Sequence, residues 1–181
     1  MEIELLKEIN ILTQRKIVIW LNIWSIIIFI FFFIIGLLVL PDVTLNVTLP
    51  NLLLFIIVLF VLLCFHELIH GMFFKMFAPE SKVKYGMKSG MFYAASPGVT
   101  YAKLPFMVII LMPFIIITCL LAMASLFPVN DFVLYLLFMV HTAGCVGDFY
   151  YIGVLNQPMF RDKQIVVEDT LEGIKIYHEA E

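Results

Sequence analysis

Charged residues are scarce in this chain: lysine, arginine, aspartate and glutamate make up only 14% of its 181 residues, whereas 63% are hydrophobic. A soluble domain of this length could not cover so much apolar surface. Cysteine is also rare, and its three copies lie inside apolar stretches without a pairing pattern, which argues against a disulfide framework. We find no phosphate-binding loop and no nucleic-acid-binding signature. The composition therefore indicates an integral membrane protein.

Four apolar stretches are long enough to cross a bilayer. They cover about residues 17–40, 52–74, 104–127 and 132–155. We therefore expect an all-α integral membrane protein whose four transmembrane helices form one domain over residues 17–155. A cytoplasmic amphipathic segment, residues 1–16, precedes this domain, and a cytoplasmic tail, residues 156–181, follows it.

Lysine and arginine predict the orientation, because the cytoplasmic loops of membrane proteins carry an excess of these residues. All eleven lie before the first span, between the second and third spans, or after the fourth. The two other loops, residues 41–51 and 128–131, contain none. We therefore expect a multi-pass protein of the cell membrane with both termini and the central loop in the cytoplasm.

Two segments outside the spans show strand-like alternation. Residues 81–103 predict a short hairpin. The hairpin could offer an edge strand to an extended substrate, or its lysines and tyrosines could anchor it to lipid headgroups, and the sequence leaves both roles open. Residues 164–177 predict a second small cytoplasmic hairpin. Near the N-terminus, Ile3, Leu6 and Ile9 have the spacing of an interfacial helix.

The second span contains His66-Glu67-Leu68-Ile69-His70, an HExxH sequence. Two histidines four residues apart lie on one helical face and can bind one Zn²⁺, and the adjacent glutamate can take a proton from metal-bound water. A soluble helix can carry this motif by chance, but ionisable side chains in lipid are costly and usually face a partner or a cavity. The motif predicts a zinc-dependent hydrolase with Glu67 as general base.

A catalytic zinc usually takes three protein ligands and leaves a fourth position for water. The other ionisable side chains well inside the spans are His141 and Asp148, both on the fourth span. At about 1.5 Å per residue, Asp148 lies about 24 Å from the outer end of its span, and the HELIH histidines lie about 25 Å from the outer end of theirs. His141 lies about 10 Å further out, too far to bind the same metal unless the helices are strongly offset or broken. Depth therefore favours Asp148 as the third ligand.

An aspartate ligand is short, so its helix must come close to the helix that carries HELIH. Gly144 and Gly147 would permit this, because small residues let membrane helices approach each other. Ordinary helix packing would use such glycines equally well, and the sequence does not separate the two interpretations.

The pattern resembles site-2 proteases and, more closely, the small bacterial family of putative zincin peptidases related to them. The resemblance rests on HELIHG at 66–71, LMPF at 111–114 and HTAGCVGD at 141–148. It implies that His66, His70 and Asp148 bind Zn²⁺ and that Glu67 is the catalytic base.

The chain departs from site-2 proteases in one respect. Those enzymes commonly carry an asparagine in the helix between the two metal-binding helices, where it helps to hold substrate or oxyanion, but residues 104–127 contain neither Asn nor Gln. His141, Thr142 and Tyr151 are candidates for that role. For His141, a hydrogen bond that orients a neighbouring group is the favoured interpretation.

These features predict a membrane metalloprotease that hydrolyses peptide bonds of a membrane protein or peptide with zinc-activated water, at a site towards the cytoplasmic side. Two alternatives stay open. The chain could transport divalent metal ions, or it could be a catalytically inactive metal-binding protein that interacts with another membrane protein. The sequence leaves the substrate and the oligomeric state open, and it does not distinguish zinc from other divalent ions.

Overall fold

The computed structural model describes residues 3–39, 48–88, 91–161 and 163–179. Residues 41–47 of the predicted outer loop, residue 40 of the first predicted span, and residues 89 and 90 of the predicted hairpin lie outside these ranges. Within them, the elements in chain order are β1 (Ile3–Ile9), α1 (Arg15–Val39), α2 (Leu49–Phe77), β2 (Lys84–Lys88), β3 (Met91–Ala95), β4 (Thr100–Ala102), α3 (Lys103–Ala124), α4 (Asp131–Gly144), α5 (Val146–Leu155), β5 (Ile165–Asp169) and β6 (Ile174–Glu179).

Helices α1, α2 and α3 are long and apolar enough to cross a membrane. They cover the first three predicted stretches to within a few residues. The fourth predicted stretch consists of α4 and α5, which are separated at Cys145 and bent by 44°. The structure thus contains several membrane-type helices, and the four-span topology stays a prediction.

The helices differ in how much of their surface is covered. In α1 and α2, only 6% of the most apolar part is buried, compared with 33% in α3. Large apolar side chains such as Trp20, Leu38 and Ile57 are exposed on α1 and α2. Exposed apolar faces of this extent suit contact with lipid. Helix α3 packs against α2, α4 and α5 and is therefore the central helix of the bundle.

The bend between α4 and α5 is stabilised from α1. Ser25 Oγ donates a hydrogen bond to the carbonyl oxygen of Ala143 at 2.8 Å, close to the point where α4 ends. The backbone N–H of Cys145 is shared between the carbonyl oxygens of His141 and Thr142, at 3.1 and 3.2 Å. Backbone groups at this depth need partners within the protein, because lipid offers none. The last span can therefore change direction without leaving these groups unpaired.

An antiparallel sheet with the strand order β1-β6-β5-β4 packs at one end of the described helices. We call it the tail sheet. Its outer strand β1 pairs with β6, in a register that runs from Ile3 opposite Glu179 to Ile9 opposite Ile174. The segments before α1 and after α5 therefore lie at the same end of the bundle.

The tail sheet corrects two predictions. The protein is not purely all-α, and the interfacial helix predicted near the N-terminus is strand β1. Its sequence IELLKEI tolerates either conformation, and pairing with the distant strand β6 decides the outcome. The two predicted hairpins are confirmed: β2 pairs with β3 and β5 with β6, both antiparallel.

The most completely buried side chains lie where the tail sheet meets α2, α3 and α5. They include Phe74, Phe106, Ile109, Val167 and Ile176, each no more than 1% exposed. Burying a large apolar side chain contributes about 1.5–3 kcal/mol to stability. This core therefore fixes the C-terminal part of α2, which carries the HELIH sequence, against α3 and the sheet.

Gly173 provides a test of the tail sheet. A Cβ atom there would collide with the carbonyl oxygen of Ile9 and lie 3.0 Å from Cα of Asn10, and neither backbone atom can move without disturbing β1. We expect Gly173→Ala to lower the free energy of unfolding by about 1–3 kcal/mol, measured by thermal or denaturant unfolding in detergent.

Gly153→Ala is the matched control, because a Cβ at Gly153 on α5 meets open space. Replacing a helical glycine by alanine should leave stability unchanged or raise it by up to about 1 kcal/mol. Equal stability of the two variants would contradict the proposed close contact between Gly173 and β1.

Candidate metal centre

Three side chains from two helices converge on one point. His66 and His70 lie one helical turn apart on α2, and Asp148 lies in the first turn of α5. The Nε2 atoms of the two histidines are 3.1 Å apart. Asp148 places Oδ2 3.3 Å from His66 Nε2 and Oδ1 3.5 Å from His70 Nε2. We call these three residues the metal triad, and all three side chains are at least 84% buried.

The triad has the dimensions of a zinc site. Zinc binds imidazole nitrogen and carboxylate oxygen at about 2.0–2.2 Å in tetrahedral geometry, which places two ligand atoms about 3.4 Å apart. The three separations in the triad, 3.1–3.5 Å, are close to this value. Two imidazoles and one carboxylate also form a ligand set that suits zinc and leaves a fourth position open. The residues therefore fit the metal, although metal binding itself stays a prediction.

A proline in α3 orients His70. Pro113 has no backbone N–H, so the carbonyl oxygen of Ile109, four residues earlier, lacks its usual helical partner. His70 Nδ1 lies 3.0 Å from this oxygen. Because a carbonyl can only accept, Nδ1 must carry the proton, and the lone pair of Nε2 is directed into the triad. The proline of the LMPF sequence thus contributes to the geometry of the site.

His66 contacts the junction between α4 and α5. Its Nδ1 lies 3.9 Å from Sγ of the buried Cys145, so that an N–H on Nδ1 can donate weakly to sulfur while Nε2 stays free in the triad. His141 also reaches this region: its ring centroid is 5.5 Å from that of His66. The expectation that His141 lies about 10 Å further out, too far to reach the metal site, excepted strongly offset or broken helices. The break between α4 and α5 is such a case, because it lies next to His141 and the His141 ring reaches His66.

His66, His141 and Cys145 form a second group whose donor atoms lie within 4.8 Å of one another. It shares His66 with the triad and would use the opposite ring nitrogen, as the contact with Cys145 Sγ shows. Cys145 Sγ lies 3.8–3.9 Å from His66 Nδ1 and from the ring nitrogens of His141, and these distances are wider than those within the triad. The triad is therefore the better candidate for a metal, and the second group is best understood as the support for His66.

Glu67 lies beside the triad and is oriented by the hairpin. Its carboxylate lies near the backbone N–H of Ala94 in β3. Within the described part of the chain, β3 pairs only with β2. The N–H that reaches Glu67 therefore belongs to the unpaired edge of β3, and alternation places the N–H and C=O of Phe92 on this same edge.

A cavity of about 400 Å³ adjoins the triad. Its walls include Glu67, all of β3, His141 and Tyr151. Thr142 is buried but does not line it, and its hydroxyl has no hydrogen-bond partner among the described residues. Of the three residues predicted to hold substrate or oxyanion, two are therefore placed beside the triad.

The two glycines near Asp148 have a different role from the one expected. A Cβ atom at Gly144 or Gly147 would meet nothing within 4 Å, so neither glycine serves a close helix contact. Both line the cavity instead. The absence of side chains there leaves space next to Asp148.

Asp169 is a cavity residue that the sequence did not identify. It is the last residue of β5 and is 8% exposed. The turn that follows it, residues 170–173, also lines the cavity. No signal in the tail sequence separates this carboxylate from the other acidic residues there, because its position depends on how the tail sheet packs against the helices.

Comparison with known proteins adds one finding. A family model described as "Putative zincin peptidase" matches residues 59–158, which is more than half of the chain and includes the triad, Glu67 and Pro113. No curated protein and no solved structure matches the chain.

Pro113→Ala tests how His70 is oriented. Alanine supplies an N–H that competes for the carbonyl oxygen of Ile109, so that His70 loses its fixed orientation. We expect zinc affinity to fall about tenfold, as for other groups that orient metal-binding histidines, measured by competition with a chromophoric chelator.

Pro105→Ala is the matched control on the same helix. Pro105 lies in the first turn of α3, where a backbone N–H has no helical partner in any case. We expect it to bind zinc as the wild type does. Unchanged zinc affinity in folded Pro113→Ala would refute the role assigned to the proline.

Proposed function

The chain belongs to the family described as "Putative zincin peptidase", and we propose that it is a zinc-dependent peptidase that hydrolyses peptide bonds at or within the membrane. The observation that carries the proposal is the metal triad with Glu67 at its side, in the wall of a cavity between apolar helices. The relationship to site-2 proteases belongs to this proposal and rests on the shared sequence pattern.

Each residue has a role that its contacts support. His66, His70 and Asp148 would hold Zn²⁺, which when bound acts as a Lewis acid and makes water more acidic. Glu67 is the proton acceptor for the attacking water and can pass the proton on to the leaving amine. The Ala94 N–H lies near the Glu67 carboxylate, where it can donate to it and help to orient it. The apolar walls around these groups limit the access of bulk water and strengthen their electrostatic interactions.

The edge of β3 supports a mode of substrate binding. An extended peptide can add to an unpaired strand edge through backbone hydrogen bonds, and this does not depend strongly on its sequence. The backbone of Phe92 lies on that edge, beside the base. Of the two roles considered for the hairpin, this geometry favours substrate binding over simple anchoring to lipid.

We also propose that the site opens towards the cytoplasm. The pairing of β1 with β6 supports an even number of crossings, because it holds the segments before α1 and after α5 at the same end of the bundle. All lysines and arginines lie in the segments assigned to this side, which is the pattern of cytoplasmic loops. The cavity extends from the triad to the tail sheet, which gives water a short route from that side.

Two substitutions test the proposal. Glu67→Gln removes the base but none of the metal ligands, so we expect bound zinc to stay and peptide cleavage to fall about 10²- to 10⁴-fold. His66→Ala removes a ligand, so we expect both zinc and cleavage to be lost. Zinc content is measured by elemental analysis of the purified protein, and cleavage by mass spectrometry of a synthetic peptide mixture and of co-expressed membrane proteins.

Glu80→Gln is the control for the charge change, because Glu80 is exposed in the loop after α2 and lies outside the cavity wall. It should cleave as the wild type does. Cleavage that persists in Glu67→Gln would refute the general-base role. Zinc flux into vesicles without any Glu67-dependent cleavage would favour the transporter alternative.

A further inference from the structure

Asp169 projects from the tail sheet towards the helices. Side chains alternate between the two faces of a strand, so Asp169 shares a face with Ile165 and Val167, which are buried in the core. The side chain is therefore directed towards the bundle, and Asp169 lies in the wall of the cavity that contains the triad. Its charge interacts with His70, Glu67 and Asp148.

Asp169 is buried without a partner among the residues that the structure describes. None of them forms a hydrogen bond or ion pair with its carboxylate, and more than nine-tenths of the residue is buried. An unpaired carboxylate in such a place is costly. Burial accordingly raises the pKa of Asp169 well above its ordinary value, although the neighbouring His70 acts in the opposite direction. A bound cation would remove this cost and keep the carboxylate ionised.

The other carboxylates of the cavity wall are already engaged. Asp148 contacts both triad histidines, and Glu67 lies near those histidines and the Ala94 N–H. Glu172 forms an ion pair with Lys88 at 2.7 Å. No lysine or arginine is found among the described residues of the wall. Among the described carboxylates of the wall, Asp169 is therefore the one without a hydrogen-bond or ion-pair partner.

We propose that Asp169 forms a binding subsite for a positively charged group of the substrate, either a lysine or arginine side chain or the free amino group at a peptide N-terminus. The inference rests on the proposed peptidase function and adds a substrate class to it. The ammonium or guanidinium group pairs with Asp169, while the peptide backbone lies along the edge of β3. Asp169 is thus a specificity-determining residue that lies outside the family match.

Binding can be measured without turnover in zinc-loaded, full-length Glu67→Gln protein. The probes are acetylated alanine–serine decapeptides that carry a single lysine, or a single norleucine, at each position in turn. Norleucine has nearly the shape of lysine without its charge. In a second arm, neutral decapeptides with a free or an acetylated N-terminus are compared. Affinity is measured by thermophoresis in nanodiscs.

We expect the best charged peptide to bind about 10- to 100-fold more tightly than its neutral counterpart, and this preference to disappear when Asp169→Asn is added. A preference in the lysine arm identifies a basic side chain as the ligand, and one in the second arm identifies the N-terminal amino group. Glu8→Gln makes the same chemical change at an exposed position of β1 and should keep the preference.

Two results would overturn the subsite. The first is that the Glu67→Gln protein binds no peptide, or binds charged and neutral peptides equally tightly. This comparison does not depend on the folding of any Asp169 variant. The other is a preference that survives Asp169→Asn in protein that retains its zinc. Glu67-dependent cleavage by the wild type is measured separately. The experiments can therefore refute the Asp169 subsite without refuting the peptidase activity, and they can refute the activity without refuting the subsite.

Discussion

Two backbone carbonyls that are released where helices are interrupted accept hydrogen bonds from side chains on other helices, and these bonds organise the site. Lipid and apolar side chains could not replace the hydrogen bonds that the interruptions remove. The carbonyl oxygen of Ile109, released by Pro113, accepts from His70. The carbonyl oxygen of Ala143, at the bend of the last span, accepts from Ser25. The first hydrogen bond fixes the position of the His70 ring, and the second fixes the bend between α4 and α5.

The tail sheet gives this membrane-type bundle a second means of positioning the site. Its inner face forms the densest core with α2, α3 and α5, and the turn after β5 closes one side of the cavity. The hairpin β2–β3 contributes from another side, where the Ala94 N–H lies near Glu67 and β3 lines the cavity. The reactive groups thus come from helices, whereas the strands supply orientation and walls. This division is common where a rigid scaffold presents groups to an extended substrate.

Helical periodicity and depth are sufficient to predict that His66, His70 and Asp148 lie close together, because these rules hold along any regular helix. For a straight span the same rules place His141 too far out, since the last span bends beside it. They also gave Gly144 and Gly147 the wrong role, because free space next to a helix is not encoded in the helix itself. The strand at Ile3–Ile9 depends on pairing with a segment more than 160 residues away, which local patterns do not report. The position of Asp169 depends on how the tail sheet packs against the helices, which local patterns do not report either.

The pairing of β1 with β6 also determines the order in which the molecule can be assembled. The ribosome makes β1 before any of the described helices and β6 after all of them. Strand β1 therefore has no β6 to pair with while the hydrophobic segments are inserted. Contacts between such distant segments form late, because chain closure is entropically costly. The cavity wall contributed by the β5–β6 turn is therefore completed only after translation has passed every helix, and a nascent chain lacks the finished cavity throughout its insertion.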